Sequence, residues 1–135
     1  MDCIFCQIIQ GKIPAHKVYE DDDCLAFLDI APVNKGHVLV IPKKHFLNLE
    51  EIDEVALSKL IITVKKVGQS LKIGLGVKGY NVQLNNGKVA GQVIGHIHFH
   101  VIPRFPQDGL KLWPQGKYKE GEPRKILEKI KNNFK

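Results

Sequence analysis

Cysteine is scarce in this chain, and its count is odd: Cys3, Cys6 and Cys24 are the only three. An even disulfide framework is therefore not indicated. Long apolar runs are also missing. No stretch approaches the roughly 18 apolar residues of a membrane span. The opening "MDCIFCQIIQGKIP" has no basic n-region and no extended apolar core, so no secretory signal is expected. Together these features point to a reducing, cytoplasmic setting and to no membrane partner. No arginine-rich or aromatic-interleaved patch appears, so nucleic acid is not expected as a partner. The run "GLGVKG" at residues 74–79 lacks a following Lys-Ser/Thr and has no strand before it, which rules out a nucleotide-binding P-loop. Internal repeats and linkers are absent as well.

The 135 residues suit one domain, and 44% hydrophobic with 25% charged residues implies an ordinary packed core. The net charge of +6 is unevenly spread. Residues 1–30 carry two lysines against six acids, whereas residues 111–135 carry eight basic residues against three acids. The basic end reads as a solvated helix, and a mild positive field favours small phosphorylated ligands.

Periodicity supplies the elements. "CIFCQIIQG" reads as a short helix closed by Gly11, with Pro14 beyond it. "KVYED", "CLAFLDI", "HVLVIPK", "YNVQLN" and "HIHFHVI" read as five strands, the last ended by Pro103. Between the third and fourth strands, Leu57, Leu60, Ile61, Val64, Val67 and Leu71 recur at three- and four-residue steps. That spacing predicts an amphipathic helix over 53–73 with Asp53 as N-cap. Gly68 inside it costs about 1 kcal/mol relative to Ala, which predicts loose C-terminal turns. "PRKILEKIKNNF" predicts a second amphipathic helix with Pro123 near its start. Short connections favour antiparallel pairing. The expected class is α+β: an antiparallel meander sheet of about five strands, with the helices on one side.

Three of the six histidines stand at alternate positions in "GHIHFHVIPR": His96, His98 and His100. On a strand, residues two apart share a face at a rise of about 3.3 Å per residue. The three imidazoles therefore project together, while Ile97, Phe99 and Val101 face the core. Such a face could hold a metal, carry covalent chemistry or be a plain polar surface. Cys3 and Cys6 form a C-x-x-C, half of a tetrahedral zinc site that needs two further ligands. Cys24, inside a strand, is expected to be buried and inert.

The surrounding residues are more specific. "AGQ", three residues, then "HIHFHVIPR" resembles the signature of the histidine-triad (HIT) family of nucleotide hydrolases and transferases. "CIFCQIIQGKIPA", "LAFLDIAP" and "GHVLVIPKKH" resemble its prokaryotic Hit and Hint-like branch. The resemblance reaches from the start of the chain to about Leu112. It implies a single HIT domain over 1–135, with 112–135 a C-terminal extension ending in the short basic helix.

The resemblance also implies an enzyme. Its substrates would be nucleotide conjugates, purine ones in particular, such as nucleoside phosphoramidates or dinucleoside polyphosphates. His98 would attack the α-phosphorus, and water would release a nucleoside monophosphate from the nucleotidyl-histidine. His100 would donate to phosphate oxygens, and His37 would stand near phosphate or leaving group. Asp29 would accept from the ribose hydroxyls; without a ligand it would simply cap the turn before Pro32. Asn85, Gly91 and Gln92 would contact ribose, phosphate or leaving group. Phe27, Leu28 and Ile30 are candidates for the base pocket, though core packing explains apolar residues there equally. In zinc-containing members the remaining metal ligands match His45 and His96, so the resemblance implies a structural zinc on Cys3, Cys6, His45 and His96. It further implies a homodimer with joined sheets and the long helix at the interface.

Two departures stand out. The Hint and Fhit branches usually carry Ser or Thr after the Gln of "GQ", and this chain carries Val93. The "WPQG" at Trp113–Gly116 is similar to a Trp-Pro tail in Hint proteins that shapes the partner's site, but it lies further from the triad. Two other readings stay open: an enzyme with a catalytic metal on His96, His98 and His100, and a non-catalytic nucleotide-binding regulator.

Overall fold

The computed structural model describes residues 3–134. Helix α1 (Ile4–Ile9) comes first, followed by strands β1 (Lys17–Glu20), β2 (Cys24–Leu28) and β3 (Val38–Pro42). Helix α2 (Glu54–Leu75) leads to β4 (Gly79–Leu84), a short 3-10 turn (Lys88–Ala90), β5 (Phe99–Arg104) and helix α3 (Glu122–Lys131). The sheet is antiparallel throughout, in the order β1-β2-β3-β5-β4. β1 to β3 form a meander. α2 then carries the chain past the sheet, and the β4–β5 hairpin returns with β5 innermost. This inversion departs from a simple meander, and it places the histidine-bearing strand beside β3.

Alternation along the inner strands sends side chains to two separate cores. Cys24, Ala26, Val38, Val40, Phe99 and Val101 pack with Leu60, Val64, Val67 and Leu71 of α2. Leu25, Phe27, Leu39 and Ile41 pack on the opposite face with Phe5 and Ile8 of α1. The helices are therefore not on one side, as the sequence had suggested. α1 covers the second face, and that is the face to which the histidines point. α2 runs two residues past the expected end. The Asp53 carboxylate accepts from the Ala56 N–H at 2.8 Å, as an N-cap should.

Gly68 is not a weak point of α2. A Cβ there would collide with the Tyr80 ring of β4, so glycine lets helix and sheet approach closely. β5 also differs from expectation. It starts at Phe99, leaving His96 and His98 in the extended segment before it, and it runs through Pro103 to Arg104. Proline is tolerated because β3 begins only at Val38, whose partner is Val101. Beyond that point the Asn34 amide donates to the Pro103 carbonyl at 3.0 Å where a strand partner would stand.

Candidate active site

Three elements deliver the histidines. The loop 29–37 brings Asp29 and His37, the segment 96–98 precedes β5, and β5 itself brings His100. Ile97 is anchored by its N–H to the Phe46 carbonyl at 2.8 Å and is fully buried toward α2. Its neighbours His96 and His98 are thereby turned to the α1 face. Phe5 packs edge-on against both rings, with centroids at 5.8 and 5.2 Å.

Backbone partners fix the proton on each ring, because an amide can only donate and a carbonyl can only accept. His98 Nδ1 lies 2.8 Å from the His96 carbonyl, so it carries the proton and leaves the Nε2 lone pair free. His96 Nε2 lies 2.9 Å from the Pro42 carbonyl, which leaves its Nδ1 lone pair toward Cys3 and Cys6. The Val33 N–H donates to His37 Nδ1 at 3.1 Å, so neutral His37 carries its proton on Nε2. That Nε2–H donates to His100 Nδ1 at 2.9 Å. His100 in turn bears its proton on Nε2, as a donor. Two chemically equivalent rings on one face, His98 and His100, are thus set up as lone pair and donor respectively.

All four rings are disposed to stay neutral. Burial lowers the pKa of His37 and His98, and it lowers His96 to about 4. His100 is also lowered to about 4, by burial first and then by His98 and His37. Asp29 raises the affinity of His37, His98 and His100 for protons, but burial outweighs it. Its Oδ1 accepts from the Ala31 N–H at 2.9 Å, and its Oδ2 lies 3.7 Å from His37 Nε2. Asp29 is therefore both a turn cap and a neighbour of the histidine pair.

Among the described residues, the ring nitrogens of the three strand histidines do not gather around one point. Among the described residues, two sets place donor atoms within 4.8 Å of one another: Cys3, Cys6, His45 and His96, and separately Asp29, His37 and His100. The second set fails on proton placement. Ligation through His37 Nε2 would move its proton to Nδ1, where it would face the Val33 N–H. The first set passes. His96 Nδ1 is 3.4 Å from Cys3 Sγ and 3.6 Å from Cys6 Sγ, and His45 Nδ1 is 3.4 Å from Cys6 Sγ. Tetrahedral zinc with ordinary Zn–S and Zn–N bonds needs S···N edges of about 3.6 Å.

The remaining residues fall into place unevenly. Asn85 approaches Gly91 from the end of β4 and accepts from Gln83. Gly91 has a φ of 93°, which favours glycine. Gln92 is turned inward: its amide donates to the Leu47 and Ile94 carbonyls and accepts from the Gly87 N–H. It braces the glycine-rich loop. Phe27 is in the core at 4% exposure, whereas Ile30 is 93% exposed and lines nothing within the chain. A cleft of about 690 Å³ opens beside Asp29, His37 and His100, and its far wall is the segment Leu110–Pro114 of the same chain, including Trp113. Pattern reading missed the hydrogen-bond partners that set the tautomers. Val33, Pro42 and His96 act through main-chain atoms, which leave no mark on side-chain pattern.

Comparison with known proteins identifies the family. Residues 10–107 match the HIT domain family model. A HIT-like protein of Methanocaldococcus jannaschii is 50% identical over 129 residues, covering 96% of this chain and 98% of that one. An adenosine 5'-monophosphoramidase of Schizosaccharomyces pombe is 41% identical over 137 residues, covering 100% of both. Among solved structures, a HIT family protein from Bacillus subtilis superposes with a TM-score of 0.91 at 39% identity, covering 100% of this chain and 99% of that one. A zinc-bound histidine-triad protein of Mycobacterium smegmatis gives 0.79 at 36% identity, covering 87% and 85%. With its model spanning most of the chain and relatives matched end to end, this protein belongs to the histidine-triad (HIT) domain family.

Proposed function

We propose that the protein is a nucleotide hydrolase that opens nucleoside phosphoramidates or related conjugates at the α-phosphorus through a nucleotidyl-His98 intermediate. The observation that carries this reading is the pair of opposite tautomers on one face. His98 Nε2 offers a lone pair, and His100 Nε2 offers a proton. Attack forms the N–P bond as the bond from phosphorus to the leaving group breaks; the leaving group takes the bonding pair and a proton from water. Positive charge develops on the His98 ring, and its Nδ1–H bears against the His96 carbonyl. His100 donates to a phosphate oxygen as negative charge accumulates there. Water then cleaves N–P, releasing the nucleoside monophosphate and restoring neutral His98. Asp29 would accept from the ribose, and Asn85 with the Gly91 loop would line the phosphate. The phosphoramidase activity carried in the name of the fission-yeast relative supports this substrate class. The word adenosine in the same relative's name supports a purine substrate.

Cys3, Cys6, His45 and His96 would hold a structural zinc, which supplies cross-linking of α1 to the segment before β5. The zinc-bound mycobacterial neighbour supports that assignment. We also propose a homodimer. β4 is an edge strand with Val82 exposed, and α2 leaves Val55, Ile62 and Ile73 uncovered. A cytoplasmic location fits three unpaired thiols.

His98→Asn tests the reading. Turnover of an adenosine phosphoramidate should fall by at least about 10³-fold while nucleotide binding persists. Full activity in that variant would overturn the mechanism and favour a binding protein with incidental hydrolysis elsewhere on the chain.

A further inference from the structure

A polar knot lies beyond the end of β5, away from the nucleophile. The Asp108 carboxylate, 8% exposed, accepts five hydrogen bonds. Arg104 supplies two in a fork, from Nε at 2.8 Å and Nη2 at 3.0 Å. The Phe105 and Leu110 amides supply one each, both at 3.1 Å. The fifth comes from the Asn34 side chain, also at 3.1 Å. Charge assistance makes such a carboxylate a strong anchor, and these donors hold its pKa far below the usual carboxylate range.

Asn34 connects this anchor to the histidines. Its amide spends both protons on the far end of β5, one on Asp108 and one on the Pro103 carbonyl. Its own carbonyl accepts from the His37 N–H at 3.0 Å. One residue before it, the Val33 N–H caps His37 Nδ1. That cap decides where His37 keeps its proton, and so which nitrogen of His100 donates. The loop is tethered by Asn34 at its middle, and the tether ends on Asp108.

We propose that Asn34 and Asp108 are positioning residues that hold the Val33 amide against His37 and thereby lock His100 as an Nε2–H donor. The proposal rests on the reading of His100 as the phosphate-facing donor, yet the tautomer itself can be measured without turnover. The knot does more than close a turn, because its carboxylate and the His37 loop are separated by about 70 residues of chain and joined through one amide.

The test is long-range ¹H–¹⁵N NMR of the full chain, with kcat and KM measured in parallel. The parent should show His37 and His100 as single Nε2–H tautomers. In Asn34→Ala, His37 should become a tautomer mixture and His100 should follow. kcat should fall about 10-fold, with KM changed less than about two-fold, as for a misplaced catalytic group. Asn34→Ser retains a turn-favouring residue and serves if the alanine variant folds poorly. Combining Asn34→Ala with Asp108→Asn should cost kcat no more than Asn34→Ala alone, since Asp108 acts on the loop through Asn34. Unchanged tautomers in either folded Asn34 variant would overturn the positioning role and leave the hydrolase reading intact. A shifted tautomer with unchanged kcat would support the tether but refute the role of His100 in turnover.

Discussion

At the level of single residues, the site depends on histidines that stay neutral although buried among one another. His100 takes up a second proton only below about pH 4, and His37 is also lowered, in both cases chiefly by burial. In the unfolded chain both would titrate near the ordinary value of about 6.5. Between those limits the unfolded state binds more protons, so stability rises with pH. The melting temperature should therefore fall as pH drops from about 6.5 toward 4, and level off for this group below 4. His100→Gln should flatten that fall when Tm is followed by calorimetry across the range. An equally steep fall in the variant would assign the effect to other groups. The alternation of His96, His98 and His100 in sequence was enough to place them on one face. It could not separate their roles, because the proton on each ring is chosen by carbonyls and amides of residues 33, 42 and 96. Asn34 and Asp108 were illegible for a related reason. In sequence they are ordinary turn residues, and only the fold brings them together.

Secondary structure elements show the same division between local and long-range information. The length and cap of α2 follow from apolar spacing and from Asp53. The side of the sheet occupied by α1 does not, since Phe5 and Ile8 would suit either face. The inward position of β5 is likewise a matter of pairing order, which no local pattern encodes. The start of β5 was misplaced because His96 and His98 alternate like strand residues while their segment bonds to Phe46 and not to a strand. Gly68 gives a direct test of helix–sheet packing. Propensity alone says that Gly68→Ala gains about 1 kcal/mol. Collision of the new methyl with Tyr80, which packs against the core, costs about 1–3 kcal/mol. The collision should win, giving a net loss of about 1 kcal/mol in chemical denaturation. A gain in stability would show that Tyr80 yields freely.

The whole molecule joins two sites across a short span of chain. His96 faces Cys3, Cys6 and His45 with one side and, through its carbonyl, orients the His98 ring with the other. Loss of the zinc proposed there should therefore be felt at His98. The double variant Cys3→Ser with Cys6→Ser should lose bound zinc by elemental analysis and melt at a lower temperature than the parent. Zinc retained at full stoichiometry would place the metal elsewhere. α3 contributes no buried residue to this assembly within one chain, and its amphipathic pattern correctly foretold a helix without revealing what it packs on. The central claim concerns covalent chemistry at one atom, His98 Nε2. Its most direct test is rapid-quench mass spectrometry of the enzyme turning over an adenosine phosphoramidate. The expected result is an adenylyl group on the peptide containing His98, appearing faster than product in the steady state. An adenylyl group on any other residue would contradict it.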